Sequence, residues 1–491
     1  MTLPMTSSQQ APLLHVEDLA VDGEGVSIAP FSLTLAPGQR LTLLGETGSG
    51  KSLLAQAIMG TLPKGLVAQG RLHIAGQFFD ASDAKSRREP WGHTLALLPQ
   101  EPWHALDPTM RAANQVAESH RHVAGRSRRE ARDAARRDLD GLGLQDAGHK
   151  LPSELSGGMA QRVAFAAASA GGARIVIADE PTKGLDATRR DAVVELLART
   201  PDDGGALLTI THDIEVARRL GGEVAILRHG QVVERGPAKR VLDTPSSDYG
   251  RRLMAAEPSR WPTPPPPPRD KHAPVVEAQG ITKARGGKIL FEELSLTIAP
   301  GEIVGVCGPS GCGKSTLGDV LLGVARNDEG EVTRDSSHPR LGFQKLYQDP
   351  PAAFSPHWTL RRLLNDLIRR HRLEPATIVP LMIRLHLNPA LLERRPGEIS
   401  GGELQRFAIL RVLLLEPCFL FADEPTSRLD PITQQETLAL LVELARERLC
   451  GVMLVSHDPA LIERLCDRRL ALGGLTPRSA TTTSREDLVV S

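Results

Sequence analysis

The stretch Gly45-Glu46-Thr47-Gly48-Ser49-Gly50-Lys51-Ser52 fits G-x-x-x-x-G-K-[ST], and Gly308-Pro309-Ser310-Gly311-Cys312-Gly313-Lys314-Ser315, with Thr316 behind it, fits the pattern again. Glycines at this spacing let backbone N–H groups close around a phosphate at the start of a helix, where the helix dipole is positive. Lys51 and Lys314 are then placed for the outer phosphates, and the hydroxyls of Ser52 and Ser315 for a Mg²⁺ ion. Each loop follows a short apolar run entered from a turn: Arg40 to Leu44 after Ala36-Pro37-Gly38, and Ile303 to Cys307 after Ala299-Pro300-Gly301. That strand–loop–helix setting separates a phosphate loop from an ordinary glycine-rich turn.

Later landmarks follow both loops in one order. Ser156-Gly157-Gly158 and Ser400-Gly401-Gly402 come first, then Ala-Asp-Glu-Pro-Thr at Ala178 to Thr182 and Ala422 to Thr426, then His212-Asp213 and His457-Asp458. The offset between copies is 263 at the lysines, 244 at Ser156 and Asp179, and 245 at His212. The halves are therefore copies of one unit, and a repeat of this size sets the architecture before any other reading. Their register changes mainly once, between the phosphate loop and the glutamine after it. From Lys51 to Gln100 is 49 residues, but from Lys314 to Gln348 only 34, so the second copy lacks a peripheral piece there.

Ile175 to Ala178, Phe419 to Ala422, Ala206 to Thr211 and Val452 to Ser456 are short apolar runs of the kind that form buried strands. Strands alternating with helices predict an α/β fold in each half, with a mostly parallel sheet covered on both faces. Asp179 and Asp423 end such strands beside the phosphate loop, where they would hold Mg²⁺. Glu180 and Glu424 directly after them would polarise an attacking water. His212 and His457, after the next strand, would contact the γ-phosphate.

With these residues in place, both halves resemble the nucleotide-binding domains of ABC transporters. Leu155 to Arg162 matches the family signature, and Ile399 to Arg406 matches it with Ile for the leading Leu. Gln100 and Gln348 are similar to the family's Q-loop glutamine, which contacts Mg²⁺ and the attacking water. The resemblance implies two P-loop NTPase ABC cassettes in tandem. Each would have a mostly parallel sheet core, a small antiparallel β subdomain and a helical signature subdomain. The implied domains are 12–256 and 274–475, joined by a proline-rich linker over 257–273 and followed by a disordered tail at 476–491. It also implies ATP and Mg²⁺ as ligands, each ATP lying between the phosphate loop of one cassette and the signature of the other. One site would combine Lys51, Asp179, Glu180 and His212 with Ser400, Gly401 and Gly402. The other would combine Lys314, Asp423, Glu424 and His457 with Ser156, Gly157 and Gly158. Neither set lacks a catalytic residue, so two competent sites are expected.

Two features depart from the family pattern. The aromatic that usually stacks on adenine is absent, since Leu19 to Val26 offers none and Arg285 stands in the second copy's place. Lys183-Gly184-Leu185-Asp186 and Ser427-Arg428-Leu429-Asp430 are variant D-loops that keep the aspartate.

Gln348-Asp349-Pro350 with Phe354-Ser355-Pro356 resembles the Q-loop region of the ATPases that serve oligopeptide, dipeptide and nickel importers. Gln100-Glu101-Pro102 with Leu106-Asp107-Pro108 is a looser match. Thr244 to Tyr249 with Leu253-Met254 is similar to that group's ending. This implies an ATPase at the cytoplasmic face of the cell membrane, peripheral to it. Its partners would be two membrane permease subunits and an extracytoplasmic solute-binding protein, and its cargo a peptide, a metal chelate or a related solute. The rival readings are a soluble twin-cassette ATPase of a phosphonate-degrading complex, or one acting on ribosomes or DNA.

Composition agrees with a globular ATPase. The chain has 491 residues, 41% hydrophobic and 24% charged, with a formal net charge of zero, which argues against direct nucleic-acid binding. No uncharged apolar run is long enough to span a bilayer, and Met1 to Gln10 does not read as a secretory signal. All five cysteines lie in the second half without a C-x-x-C pair, as in a reduced protein without a zinc knuckle. Pro264 to Pro268 has no backbone donors and reads as an extended, semi-rigid spacer. Arg126 to Arg137 alternates with Glu130 and Asp133, the pattern of a solvated helix face.

Overall fold

The strands of each half read as almost uninterrupted apolar runs because they are covered on both faces. In the first half Leu41, Leu43, Ile175, Ile177, Leu208 and Ile210 point into one core, while Val176, Ala178 and Leu207 point into a second on the opposite face. This is the alternation a strand imposes on its side chains. A computed structural model of the chain describes residues 11–100, 105–183, 185, 187–267, 273–309, 311–426, 429–473 and 482–484. The chain divides into two units, Met1–Ala255 and Ala256–Ser491.

In the first unit the strands are β1 (Leu14–Gly23), β2 (Val26–Leu35), β3 (Arg40–Gly45), β4 (Val67–Ile74), β5 (Gln77–Asp80), β6 (Leu95–Leu98), β7 (Ile175–Asp179), β8 (Ala206–Thr211), β9 (Glu223–Arg228) and β10 (Gln231–Pro237). The helices are α1 (Lys51–Met59), α2 (Ala112–His122), α3 (Arg128–Gly141), α4 (Gly157–Ser169), α5 (Ala187–Asp202), α6 (Ile214–Leu220), α7 (Ala238–Asp243) and α8 (Asp248–Ala255). The main sheet runs β10-β9-β3-β8-β7-β6, parallel except for β10 at one edge. An antiparallel sheet β2-β1-β4-β5 shares the core that holds Leu54 and Ile58 of α1. On the other face, α2 to α4 pack with α5 and α6 around Val116, Leu139, Val163 and Leu197.

The second unit repeats the plan with β11 (Val276–Arg285), β12 (Lys288–Ile298), β13 (Ile303–Cys307), β14 (Glu329–Arg334), β15 (Phe343–Leu346), β16 (Phe419–Asp423), β17 (Gly451–Val455), β18 (Arg468–Ala471) and β19 (Thr482–Ser484). Its helices are α9 (Lys314–Leu321), α10 (Leu360–His371), α11 (Ile378–Arg384), α12 (Gly401–Leu413), α13 (Pro431–Glu447) and α14 (Pro459–Leu465). The main sheet is β15-β16-β17-β13-β18-β19 and the antiparallel one β12-β11-β14. The shorter interval before Gln348 thus has a structural meaning: among the described residues the second copy has no counterpart to the hairpin strand β5.

The repeat also shows in packing. A Cβ at Gly318 in α9 would come within 2.2 Å of the Phe421 ring. Four residues after the first copy's lysine stands Ala55, and the residue matching Phe421 is Ile177, both in the first unit's core. A larger strand residue is matched by a smaller helix residue, so core volume is kept.

Two parts of the chain differ from the expected organisation. The linker expected from Glu257 is docked at its start, with Trp261 only 3% exposed within the second unit's core and its indole N–H donated to the Ala256 carbonyl at 2.8 Å. Within the expected tail, Thr482–Ser484 pairs antiparallel with β18, at the sheet edge that β10 takes in the first unit. Residues 268–272, including Pro268, and the rest of the tail lie outside the described residues.

Candidate active sites

Each phosphate loop connects the end of a central strand to a helix. Gly50, immediately before α1, takes a left-handed conformation (φ 99°), and a Cβ there would lie 2.8 Å from Ile28 Cδ1. Gly313 repeats this at φ 106°, with Leu290 Cβ 2.9 Å away. Only glycine fits such a position. Lys51 is 4% exposed and donates to the carbonyl oxygens of Gly45 and Glu46, both at 2.7 Å. Lys314 does the same to Gly308 at 2.7 Å and Pro309 at 3.1 Å. Both ammonium groups are therefore held over the loops by weak, neutral acceptors that phosphate oxygens could replace. Of the loop residues, Ser310 lies outside the described residues.

The Ser52 hydroxyl donates to Asp179 Oδ1 at 2.9 Å, joining the helix start to the end of β7. Burial raises the Asp179 carboxyl to about 6, against the pull of the Ser52 hydrogen bond. Asp423 is raised for the same reason, opposed by its bond from Ser315. A buried hydroxyl–carboxylate pair whose charge is disfavoured suits a hard divalent cation, which takes oxygen ligands and restores the charge balance.

Glu180 and Glu424 both sit in the left-handed region, at φ 46° and 48°. Each backbone N–H is tied to the next strand, Glu180 to the Ile210 carbonyl at 2.8 Å and Glu424 to Val455 at 3.1 Å. That conformation is costly for a residue with a side chain, and it recurs at the same place in both copies. It turns the carboxylates toward the histidines. His212 Nδ1 lies 2.8 Å from Glu180 Oε2, and His457 Nε2 lies 2.6 Å from Glu424 Oε1. Burial opposes the charge on Glu180, but His212 outweighs it and holds the carboxyl below the usual range. Burial likewise opposes charge on His212, and Glu180 raises it. Each group thus favours the charged form of the other.

Gln100 and Gln348 each sit two residues beyond an edge strand aligned with the one that ends in the Asp-Glu pair. Gln348 Nε2 donates to Glu424 Oε2 at 2.8 Å. Among the described residues no such bond joins Gln100 to Glu180, which accepts instead from the Thr211 hydroxyl at 3.3 Å and the His212 N–H at 3.4 Å.

Ser156 caps α4 and accepts from the Met159 N–H at 3.4 Å, leaving Gly157 and Gly158 in the first turn. Ser400 caps α12 in a full capping box, its hydroxyl accepting from the Glu403 N–H at 3.3 Å and donating to the Glu403 carboxylate at 2.8 Å. Both signatures thus present a serine and two glycines at a helix start. Of the D-loops, Gly184, Asp186, Ser427 and Arg428 lie outside the described residues. Asp430 caps α13, accepting from the Thr433 N–H at 3.0 Å. Arg285 stands exposed at the tip of the β11–β12 hairpin.

Several contributors escape a reading of the motifs. The aspartates of the two His-Asp pairs are helix caps: Asp213 accepts from Glu215 and Val216 N–H groups, Asp458 from Ala460 and Leu461. Tyr249 is buried, with the Arg228 guanidinium 5.0 Å from its ring centre, and its hydroxyl accepts from the Glu46 N–H of the phosphate loop at 3.3 Å. Glu234 holds the segment before Tyr249 by accepting from the backbone and hydroxyls of Ser246 and Ser247 at 2.7–2.9 Å. Burial resists that charge, but these four donors bring its carboxyl down to about 2. The signal was present in Thr244 to Tyr249, which reads by itself only as a mark of kinship.

A family model described as "ABC transporter" matches residues 28–183 and 291–427. The chain is 31% identical over 496 residues to an ABC transporter ATP-binding protein of Escherichia coli K12, YejF, covering 94% of each. It is also 31% identical to a peptidoglycan transport ATP-binding protein of Agrobacterium fabrum, covering 94% of this chain and 91% of that one. Against the glutathione import ATP-binding protein GsiA of E. coli K12 it is 31% identical, covering 90% and 81%. Among solved structures, the archaeal ribosome recycling factor aABCE1 in complex with the stalk protein aP1 superposes with a TM-score of 0.64 at 21% identity, over 94% of this chain and 89% of that one. That likeness establishes the tandem fold alone. The chain belongs to the ABC transporter family, as an ATP-binding ATPase with two cassettes in one polypeptide.

Proposed function

We propose that this ATPase powers the uptake of short peptides or peptide-like solutes, docked peripherally on two membrane permeases fed by a solute-binding protein. The observation that carries this reading is likeness over 91% and 81% of the length of relatives named for peptidoglycan transport and glutathione import, cargoes that share peptide chemistry. No described helix is long and apolar enough to cross a membrane.

Each ATP would be held by Lys51 or Lys314, with Ser52 and Asp179, or Ser315 and Asp423, taking Mg²⁺. Among the described residues no three His, Cys, Asp or Glu side chains converge as a metal cage, so phosphates and water would complete the ion's shell. A bound Mg²⁺ would neutralise charge building on the phosphates. Glu180 held below the usual carboxylate range is a poor proton acceptor at neutral pH. If His212 turned to the γ-phosphate, the contact would open, the Glu180 affinity for a proton would rise, and the carboxylate would be free to orient water. In the second copy His457 lies against Glu424 in the same way, and Gln348 already donates to that carboxylate. Ser156 and Ser400, each completing the other cassette's site, would make hydrolysis depend on closure.

Purification of the tagged chain from detergent-solubilised membranes tests the reading. Two co-purifying permeases, with peptide-stimulated ATP turnover in liposomes, support it. Recovery with ribosomes or with a soluble lyase complex, and without permeases, overturns it.

A further inference from the structure

We propose that a basic cleft in the first unit, remote from its phosphate loop, binds a small multivalent oxyanion. The cleft has a volume of about 670 Å³ and lies where α2 and α3 meet the starts of β7 and β8 and the last turn of α5. The nucleotide residues Asp179 and His212 stand at the opposite ends of those strands, about 15 Å away along a five-residue strand.

Its lining is cationic from two sides. Arg126 and Arg137 come from the helical subdomain, Arg174 and Arg199 from the sheet side, and two aspartates oppose them. One of those, Asp138, is occupied by His120 Nε2 at 2.6 Å. Arg174 donates to the Gly204 carbonyl, whereas Arg137 and Arg199 form no ion pair with any described residue. His120 is 4% exposed, and its Nδ1 is buried without a hydrogen-bond partner. Such an atom costs free energy unless a partner arrives. Guanidinium groups pair with carboxylate or phosphate oxygens in bidentate fashion. The cleft's volume is in the range of sites for ligands of metabolite size.

The second copy does not repeat this chemistry. At the offset of 244 that Ser156 and Asp179 share, Arg174 corresponds to Cys418 and Arg199 to Glu443, which pairs with Arg384. The cleft therefore belongs to the first cassette alone and is no by-product of the shared fold. An anion bridging arginines of both sides would tie the helical subdomain to the core, giving this cassette an input separate from ATP.

The test is calorimetric titration of the whole chain with its phosphate loops filled by ADP and excess Mg²⁺, using pyrophosphate in one arm and citrate in the other. Saturable binding is expected in at least one arm, weakened tenfold or more in the double variant Arg137→Ala/Arg199→Ala. Both side chains are exposed, so the variant should melt at the wild-type temperature without anion; Arg126→Ala provides a second, independent variant with the same expectation. Binding of pyrophosphate alone assigns a phosphate-bearing ligand, and of citrate alone a polycarboxylate. No saturable binding in either arm, or equal binding by wild type and both variants, overturns the proposal.

Discussion

Glu180 and Glu424 combine an unfavourable backbone conformation with a histidine partner, and the combination occurs once per copy. Strain repeated at matched positions is best explained by what the side chain must reach. Glu180→Gln and Glu424→Gln should therefore each lower ATP turnover by about 10²-fold, in the range of lost general-base assistance, while nucleotide binding persists. Turnover by the single variants is the measurement, and near-full activity in either one contradicts two competent sites. Asp179 gives a second prediction. Its carboxyl, raised by burial to about 6, favours the protonated form in the folded state. Its contribution to stability is thus fully present below the ordinary aspartate range and is lost as pH rises through about 6. Without nucleotide and Mg²⁺, Asp179→Asn should gain melting temperature relative to wild type between pH 5 and pH 7. A constant difference across that range would contradict the shift. The motif spacing made the identity of these residues legible, but not the left-handed backbone or the glutamate–histidine contact, which depend on where β8 and β17 deliver the histidines.

At the scale of elements, the buried parallel strands were readable because both their faces are covered, leaving uninterrupted apolar runs. What the sequence hid depends on long-range packing. Tyr249 meets the phosphate loop 203 residues away, Trp261 turns the start of a proline-rich stretch into part of the second core, and Thr482–Ser484 joins a sheet despite its polar composition. The α9–β16 contact offers the sharpest test of the internal repeat. Gly318→Ala should destabilise the second unit by about 1–3 kcal/mol, the usual cost of overpacking, because the added Cβ meets Phe421 at 2.2 Å. Phe421→Ile alone removes ring volume and should also destabilise. The double variant restores the first copy's Ala–Ile pairing and should be more stable than the sum of the single changes. Urea midpoints of the four proteins close the cycle, and strict additivity would show that the two positions do not share one packing constraint.

At the scale of the whole molecule, each unit carries a phosphate loop, an Asp-Glu strand end and a histidine, together with a signature serine at the start of another helix. If each signature serves the other unit's nucleotide, as the proposed mechanism requires, hydrolysis needs two cassettes to meet. The fused chain supplies the partner at an effective concentration on the order of millimolar, as expected for a short linker. Turnover per chain should then be independent of protein concentration. Because each unit has its own hydrophobic cores, the halves can be prepared separately by dividing the chain after Ala255, which keeps Trp261 with the core it fills. Each half alone should bind ATP and hydrolyse it slowly, and the mixture should recover turnover that rises with concentration toward that of the intact chain. Ser400→Arg in the second half should then block the recovery at the Lys51 site, since the bulky cation replaces the small hydroxyl at the helix start. Full turnover by one half alone, independent of its concentration, would instead locate a complete catalytic site within a single cassette.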